Sequence, residues 1–436
     1  MASAYLSRTP SSAGNRKIFT FSGWIKRTTS DAATAYSTLF SAGSDSDVQG
    51  YAQAVVWGDS NDFLEFTVYD SSYLRFRTNQ LFRDVSGWYH IVVAVDTTQA
   101  SNNNRVKIYV NGEQVTSFAT YNTMPQNFDT SVNNTTVQKI GASSNSAGGI
   151  GNYLDGLMTH VNFVDGTALT PTSFGQSDSN GVWIPKPSPS VTYGTNGYFL
   201  KMDNSGNMGL DSGGGSNNFT TSGTITQAKD TPSNVFATLN PLVPSTSFAG
   251  SFSNGNTTVG SSSSAKGIMM STLGASSGKY YFEAKATSGS AIALGITNDE
   301  IGLNSWSPST GNYVLYNSNG IIQRPSNSPD SGTTYTTNDI IGVAWNATDS
   351  EVTFYKNGTA INSGTAYSVE GTQGTMFFAL GDTGTSSNPT TSFNFGNGYF
   401  GTTAVTSAGA NASGNGIFEY DVPTGYTALS TKGLNS

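Results

Sequence analysis

The residues with the greatest potential for chemistry are a few carboxylates. Glycoside hydrolysis requires two carboxyl groups placed across the scissile bond, about 5 Å or about 6.5–9.5 Å apart. The candidate groups are Glu65 with Asp62 and Asp70, and Glu419 with Asp421. Neither group places two glutamates around an aspartate at alternating positions of one strand. The sequence therefore predicts that the protein is not an enzyme.

The two histidines do not indicate a nucleophilic site. His90 and His160 each lie within an alternating stretch that predicts a strand, and no Gly-x-Ser-x-Gly motif precedes a helix. Gly148-Gly-Ile-Gly151 comes before a predicted strand, whereas a dinucleotide-binding loop follows one. We expect both histidines to be strand residues that are paired locally or partly exposed.

Oxygen-rich turns are the only indication of a metal. Calcium takes several carboxylate and carbonyl oxygens, and the densest clusters are Asp45-Ser-Asp47 and Asp59-Ser-Asn-Asp62. Short Asp, Ser and Asn runs more often form simple turns. The sequence also has no cysteine, which excludes disulfides and thiolate metal sites. We predict no cofactor, with calcium as the weakly supported alternative.

Aromatic residues interleaved with polar ones favour sugar recognition. Binding residues commonly lie on loops held by a rigid scaffold, and a tryptophan exposed in such a loop usually marks a binding surface. Packing in the core is the alternative for each aromatic taken singly. The candidate ligand-binding residues are Tyr51, Trp57, Asp59, Tyr73, Trp306 and Tyr313.

Short strands must position these residues. Period-two alternation, as in Ile18–Arg27, predicts half-buried strands, and no segment has a 3.6-residue apolar stripe. A three-strand meander occurs twice, and its last pair closes on Asn111-Gly112 in one copy and Asn357-Gly358 in the other. Asn and Gly tolerate the positive φ angles of a type I′ turn. The meanders comprise 89–96, 106–110 and 113–116, and then 339–345, 351–356 and 359–362.

Length and composition indicate two all-β domains. The 436 residues allow two antiparallel β-sandwiches of ~200 residues each, joined by a Pro/Gly-rich connector. Closely spaced prolines exclude a central strand from much of that connector, and Tyr198–Met202 is its best candidate strand. The predicted boundaries are 1–175 and 246–405 for the sandwiches, 176–245 for the connector, and 406–436 for a C-terminal segment packing on the second sandwich.

Charge and hydropathy exclude several classes of partner. The net charge is −8 and no Lys/Arg cluster could neutralise several phosphates, so nucleic acid is not an expected partner. No stretch approaches the ~18 apolar residues of a membrane span, so membrane insertion is not expected. The N-terminus lacks the basic region and apolar run of a signal peptide, which predicts synthesis in a cytoplasm.

Two domain families resemble the two halves. Residues 19–26, 87–93, 106–112 and 153–158 resemble a laminin-G-like, concanavalin-A-like lectin domain. Residues 278–283, 293–297, 341–345 and 352–358 resemble a SPRY domain. The resemblance implies two concanavalin-A-like or jelly-roll sandwiches, which accounts for the repeated meander. The calcium ligands of laminin-G domains do not map onto this sequence.

Three further segments resemble proteins of phage particles. Residues 155–175 are similar to the end of lectin-like domains in tailed-phage proteins, and 230–241 and 426–432 are similar to segments of marine-phage virion proteins. The resemblance implies a structural protein displayed on the surface of the phage particle and made in the host bacterial cytoplasm, without indicating where on the particle it lies. We expect the tail-fibre or appendage type. Its expected partners are other virion proteins, further copies of itself in a homo-oligomer, and a host-surface glycan bound for adsorption. The alternatives are a capsid decoration or appendage protein without a specific ligand and, third, a polysaccharide depolymerase.

Overall fold

A computed structural model of the chain divides into two compact units, residues 1–227 (unit 1) and 228–436 (unit 2). It describes residues 3–28, 36–43, 54–58, 62–70, 72–144, 149–242, 250–261, 267–289, 292–298, 312–325, 332–371, 374–382 and 388–435. Within these ranges nearly all regular structure is strand, and the one α-helix is α1, Thr431–Leu434. The predicted all-β class is confirmed.

Unit 1 has eighteen strands in its described residues. They are β1 Tyr5–Arg8, β2 Ile18–Arg27, β3 Ser37–Ala42, β4 Ala54–Gly58, β5 Phe63–Asp70, β6 Ser72–Leu81, β7 Tyr89–Asp96, β8 Val106–Val110, β9 Glu113–Gln114, β10 Phe118–Tyr121, β11 Gln138–Ile140, β12 Ser143–Ser144, β13 Ile150–Gly151, β14 Gly156–Asp165, β15 Gly175–Ser177, β16 Trp183–Pro185, β17 Tyr198–Leu200 and β18 Thr220–Ser222.

Two large sheets enclose the core of unit 1. The described strands of the first sheet follow the order β10-β6-β5-β4-β3-β11-β1-β18, and those of the second follow β17-β14-β2-β7-β8-β9. Alternate side chains of both sheets, such as Phe21 on β2 and Phe40 on β3, meet in one apolar cluster. A sandwich requires this alternation, since each strand has one face towards the opposite sheet. The prediction that Ile18–Arg27 is half-buried is wrong, because nine of the ten residues of β2 are buried.

Unit 2 has sixteen strands in the part of the chain that is described. They are β19 Gly250–Ser253, β20 Thr258–Ser261, β21 Gly267–Ala275, β22 Lys279–Ser288, β23 Ile292–Asn298, β24 Tyr313–Asn317, β25 Ile322–Gln323, β26 Ile340–Asn346, β27 Glu351–Lys356, β28 Thr359–Ala360, β29 Tyr367–Ser368, β30 Met376–Asp382, β31 Thr390–Asn394, β32 Tyr399–Phe400, β33 Thr403–Ala404 and β34 Thr427–Ala428.

Unit 2 is also built around two sheets. The larger follows β19-β20-β31-β22-β26-β27-β28, with β29 beside β27 and β34 beside β22, and the smaller follows β21-β30-β23-β24-β25. Phe282 on β22 packs against Phe378 on β30 with ring centroids 4.3 Å apart, at the centre of the apolar core. The second predicted sandwich is therefore present.

The repeated meander has the same geometry in both units. Asn111 and Gly112 have φ angles of 50° and 91°, and Asn357 and Gly358 have 49° and 78°, as a type I′ turn requires. Each Asn also reaches back to the first strand of its meander: its Oδ1 accepts a bond of 2.8 Å from the backbone N–H of His90 or Ile340. The Asn-Gly pairs therefore belong to the scaffold.

The predicted connector 176–245 is not a separate segment between the sandwiches. Its residues up to Gln227 belong to unit 1, and the candidate strand at Tyr198 is β17, paired with β14. Phe174, Tyr193 and Phe199 form an apolar cluster with Val92 of β7, on the face of that sheet away from the main core. Aromatic packing therefore holds much of this proline-containing stretch against the sandwich.

The C-terminal segment packs on the second sandwich, as the sequence predicted. β34 lies parallel to β22, and Phe418 is fully buried against Tyr281, with ring centroids 5.1 Å apart. Tyr281 alternates with the core residues Tyr280 and Phe282 on β22. The segment therefore covers the face of the larger sheet that points away from the core.

Candidate functional site

Three of the six predicted ligand-binding residues, Trp57, Tyr73 and Tyr313, are described by the structure. Tyr51, Asp59 and Trp306 lie outside the described residues. Trp57 is 0% exposed and its ring contacts those of Phe82 and Tyr89.

Burial corrects the interpretation of two aromatic candidates. Trp57 lies on β4 and points into the core of unit 1, because Val55 and Trp57 alternate inward on that strand. Tyr313 is 5% exposed on β24 and packs with Ile268 and Leu315. Both rings are scaffold, since neither is accessible to a bound sugar.

Tyr73 is half-buried on the outer face of the β5–β6 hairpin. Leu64, Phe66 and Phe76 point into the core, so the residues between them point outward. We call this outer surface the hairpin face. Its partly exposed residues are Tyr69 of β5 and Tyr73, Arg75 and Arg77 of β6, whereas Phe63, Glu65 and Thr67 on the same side of β5 are buried.

Aromatic rings and guanidinium groups are stacked along the hairpin face. The rings of Tyr69 and Tyr73 meet edge to face with centroids 5.2 Å apart. The Arg75 guanidinium lies 4.9 Å from the Tyr73 ring, and that of Arg77 lies 3.9 Å from the Phe63 ring. These contacts place each guanidinium over an aromatic ring, so the face combines aromatic rings with cationic groups.

The carboxylates near this face are engaged by arginines. Glu65 accepts a 2.7 Å bond from Arg77 Nε and a 2.6 Å bond from the Thr67 hydroxyl, and Arg75 Nε lies 3.9 Å from it. Glu65 is 4% exposed, and Arg75 and Arg77 about one third and one quarter. A buried carboxylate paired in this way is suited to orienting arginines.

Asp62, at the start of the hairpin, is held similarly. Its Oδ1 lies 3.0 Å from Arg27 NH1, and its Oδ2 lies 3.2 Å from Arg83 Nε. Arg27 is buried whereas Arg83 is 68% exposed. Each of the two carboxylates is therefore paired with guanidinium groups.

The other carboxylate pair shapes the C-terminal segment. Glu419 accepts hydrogen bonds from the backbone N–H and the hydroxyl of Thr406. Asp421 accepts a 2.6 Å bond from the backbone N–H of Ala410. Both close loops within the segment, so their side chains have a structural role.

Sequence reasoning missed Glu283, the most deeply buried carboxyl of unit 2 that the structure describes. It lies on β22 and accepts bonds of 2.8 and 2.9 Å from the backbone N–H groups of Glu419 and Tyr420. Asn394 and Tyr281 also donate to it. Burial raises the pKa of Glu283 to about 7. Its one sequence signal is a glutamate among apolar residues of a predicted strand.

His90 is buried in an aromatic stack, and its local pairing was predicted. It lies parallel to Trp24 with ring centroids 4.6 Å apart. The Trp183 indole N–H donates to Nδ1 over 3.0 Å, so Nε2 carries the proton and donates to the Ser22 hydroxyl at 2.9 Å. Burial lowers the pKa of His90 to about 3, which keeps the ring neutral.

The described residues contain no group of three or more His, Asp or Glu side chains that could hold a metal ion. The oxygen-rich turn at Asp45-Ser-Asp47 lies outside them, as does Asp59 of the second turn. No helix in the described ranges is long and apolar enough to cross a membrane.

Comparison with protein families defines the class of each half. Residues 2–174 match the concanavalin A-like lectin/glucanases superfamily, under a laminin G model, and residues 279–398 match the SPRY domain. The chain therefore carries a concanavalin A-like domain followed by a SPRY domain. No curated protein matches the full sequence.

Solved structures show similarity at low sequence identity. The SPRY domain of human HERC1 is 13% identical, with a TM-score of 0.30, and the match covers 36% of this chain and 96% of that one. The TRIM65 PSpry domain is 11% identical, with a TM-score of 0.29 and coverages of 36% and 88%. A native heptameric SAP-like pentraxin from Limulus polyphemus is 17% identical, with a TM-score of 0.28 and coverages of 38% and 71%.

Proposed function

We propose that this protein is a non-enzymatic surface component of a phage particle, of the tail-fibre or appendage type, that binds host-surface glycans during adsorption. The observation that carries the glycan part is the hairpin face of unit 1, where tyrosines and arginines are stacked side by side. Tyr73 and Arg75 offer a ring and a planar donor group to a sugar. The superfamily to which this domain is matched includes lectins by name.

The phage setting rests on sequence resemblance. Residues 155–175, 230–241 and 426–432 resemble segments of phage virion proteins. A particle carries many copies of a surface protein, so weak contacts at each hairpin face would add up to firm attachment. Other virion proteins and further copies of this chain are the partners that this setting implies.

The engagement of Asp62 and Glu65 by arginines supports a binding role over a depolymerase. Glycosidases require one carboxyl that donates a proton and a second that attacks or activates water. Here both carboxylates make ion pairs with guanidinium groups. We accordingly propose that bound polysaccharide is retained and not cleaved.

Binding of the purified full-length protein to an array of bacterial surface glycans tests this function. We expect retention of a subset of glycans that weakens when Tyr73 is changed to Ala, because the Tyr69–Tyr73–Arg75 stack loses its central ring. Adsorption of particles with and without the protein tests the setting. Absence of glycan binding together with unchanged adsorption would refute the proposal, and a map of the particle would then distinguish a capsid decoration from a tail appendage.

A further inference from the structure

Unit 1 concentrates positive charge beside the hairpin face, although the whole chain has a net charge of −8. Arg27, Arg75, Arg77 and Arg83 surround two carboxylates, Asp62 and Glu65, in a set of ion pairs. Asp84 lies near the same groups, since it acts on Tyr89 together with Arg27 and Asp62, so four guanidinium groups here face three carboxylates. An acidic protein with a local excess of this kind has a surface that attracts anions.

The carboxylates hold two of these arginines by one edge only. Glu65 and Asp62 accept from the Nε groups of Arg77 and Arg83, at 2.7 and 3.2 Å. Neither arginine has a partner at NH1 or NH2 among the described residues. The paired N–H groups at the end of a guanidinium match the two oxygens of a planar carboxylate. Both arginines are therefore oriented and still have donors to offer.

A shallow depression of about 410 Å³ lies between these two arginines. Asp62, Phe63, Arg77, Asn79, Leu81 and Arg83 contribute to its lining. Leu81 is 43% exposed and adds an apolar side chain to the lining of the depression. Its volume lies within the range of roughly 300–1,000 Å³ that is typical of small-ligand sites. A sugar ring has both an apolar face and polar edges, so it matches this mixed lining.

We propose that this depression, the arginine groove, binds the carboxylate of a uronic acid residue within an acidic polysaccharide. Arg77 and Arg83 form the charged fork, Asn79 is a hydrogen-bonding group at the rim, and Leu81 contacts the sugar ring. This inference rests on the proposed glycan-binding function and assigns it a substrate class. A guanidinium also binds tetrahedral oxyanions through two oxygens, so a sulfate ester is the alternative that the test must distinguish.

Calorimetric titration of the full-length protein with three defined glycans tests the assignment. The glycans are an oligogalacturonate, the same oligomer fully methyl-esterified, and a sulfated dextran oligomer of similar length. We expect the oligogalacturonate to bind, the methyl ester to bind at least about tenfold more weakly because its charge is gone, and the sulfated oligomer to bind more weakly than the uronate.

Two variants of Arg83 and one control identify the groove. Arg83 is 68% exposed, so Arg83→Gln should fold normally and weaken uronate binding by about tenfold or more. Arg83→Lys keeps the charge but loses the fork, and should restore only part of the affinity. Lys229→Gln removes the same charge from an exposed position of unit 2 and should have no effect.

The outcomes separate this inference from the proposed function. Equal binding of the uronate and its methyl ester, or unchanged affinity in Arg83→Gln, would overturn the acidic-sugar assignment while leaving glycan binding in place. Equal binding of the sulfated oligomer, with the same loss in Arg83→Gln, would overturn the choice of carboxylate. Failure of all three glycans on a protein that binds others on the array would place recognition outside the arginine groove.

Discussion

Acidification from pH 7 to pH 5 should destabilise unit 1 and stabilise unit 2, because buried groups in the two units have pKa values shifted in opposite directions. Burial lowers the pKa of His90 from 6.5 to about 3, and that of His160 from 6.5 to about 4. Burial raises the pKa of Glu283 from 4.5 to about 7. As the pH is lowered, a unit loses stability where its unfolded form binds more protons than its folded form. It gains stability where its folded form binds more protons.

The pH window follows from these values. Below pH 6.5 the unfolded unit 1 takes up protons at His90 that the folded unit excludes, so this contribution to stability is lost as the pH falls. Glu283 behaves in the opposite way. Its protonated form is favoured in the folded unit 2, so its contribution is complete below pH 4.5 and is lost as the pH rises through about 7.

Each group contributes a measurable amount. Proton linkage between pH 7 and pH 5 gives a loss of about 2 kcal/mol for His90 and a gain of about 2 kcal/mol for Glu283. His160 is less deeply buried and adds at most a loss of about 2 kcal/mol to unit 1. These changes are a substantial fraction of the roughly 5–15 kcal/mol by which a domain is usually stable.

Urea unfolding of the full-length chain at both pH values, followed by brief proteolysis and mass spectrometry, measures each unit through its own peptides. In His90→Gln the amide can still accept from Trp183 and donate to Ser22, so this variant should reduce the pH effect on unit 1 by about 2 kcal/mol. In Glu283→Gln, unit 2 should no longer become more stable between pH 7 and pH 5, and it should be less stable than the wild type at both pH values. A shift of both units in the same direction, or variants with the wild-type pH dependence, would refute the reasoning.

Three further predictions concern stability. Asn111→Ala and Asn357→Ala each place Ala at a positive φ and remove a hydrogen bond to the first strand of the meander, so each should cost about 1–3 kcal/mol in the urea unfolding of its own unit. Phe418→Ala should cost about 3–5 kcal/mol and make 406–436 the first site of limited proteolysis; cleavage elsewhere first would contradict its anchoring role. Trp57→Ala should lower the free energy of unfolding of unit 1 by a similar amount, and the folded variant should keep its glycan affinity. A loss of glycan affinity in the folded variant would indicate that Trp57 contacts the ligand.

Local patterns were enough to predict most of the scaffold. The alternation in Ile18–Arg27 and the two Asn-Gly pairs depend on neighbouring residues, and β2 and both type I′ turns follow from them. The boundary at 176–245 failed for a different reason. The aromatic residues there, such as Tyr193 and Phe199, do indicate packing against a domain, and they pack against β7, but the sequence does not show that the stretch up to Gln227 belongs to unit 1.

The candidate site was less predictable because the same side chain fits a core or a surface. Trp57 and Tyr73 have similar polar and aromatic neighbours in the sequence, yet the first is 0% exposed and the second is half-buried on the hairpin face. The outcome depends on which set of alternate residues on the strand faces the core. That choice is made by the opposite sheet, which covers one side of the strand. The pairing of Arg27 on β2 with Asp62, the turn residue before β5, joins residues 35 positions apart, so no sequence spacing could indicate it.

The two segments of unit 2 that resemble marine-phage proteins are neighbours in space. Ala237 and Thr431 donate backbone bonds of 2.9 Å to Leu429 and Val235 respectively, so the segment 230–241 pairs with 426–432 across almost two hundred residues of chain. Phe236 and Ala428 pack in the apolar cluster that covers the outer face of β22.

The paired segments bury apolar side chains against the larger sheet of unit 2. Because this packing completes the fold of unit 2, it explains the residues of both segments without a ligand bound to them. Resemblance in these segments thus concerns the fold of unit 2, whereas the proposed choice of ligand depends on side chains such as Arg77 and Arg83 in unit 1. The two can vary independently, since Arg83 is largely exposed and the packing of its unit does not depend on it. Proteins that share the paired segments should therefore differ in the glycans they bind, according to the residues at the arginine groove.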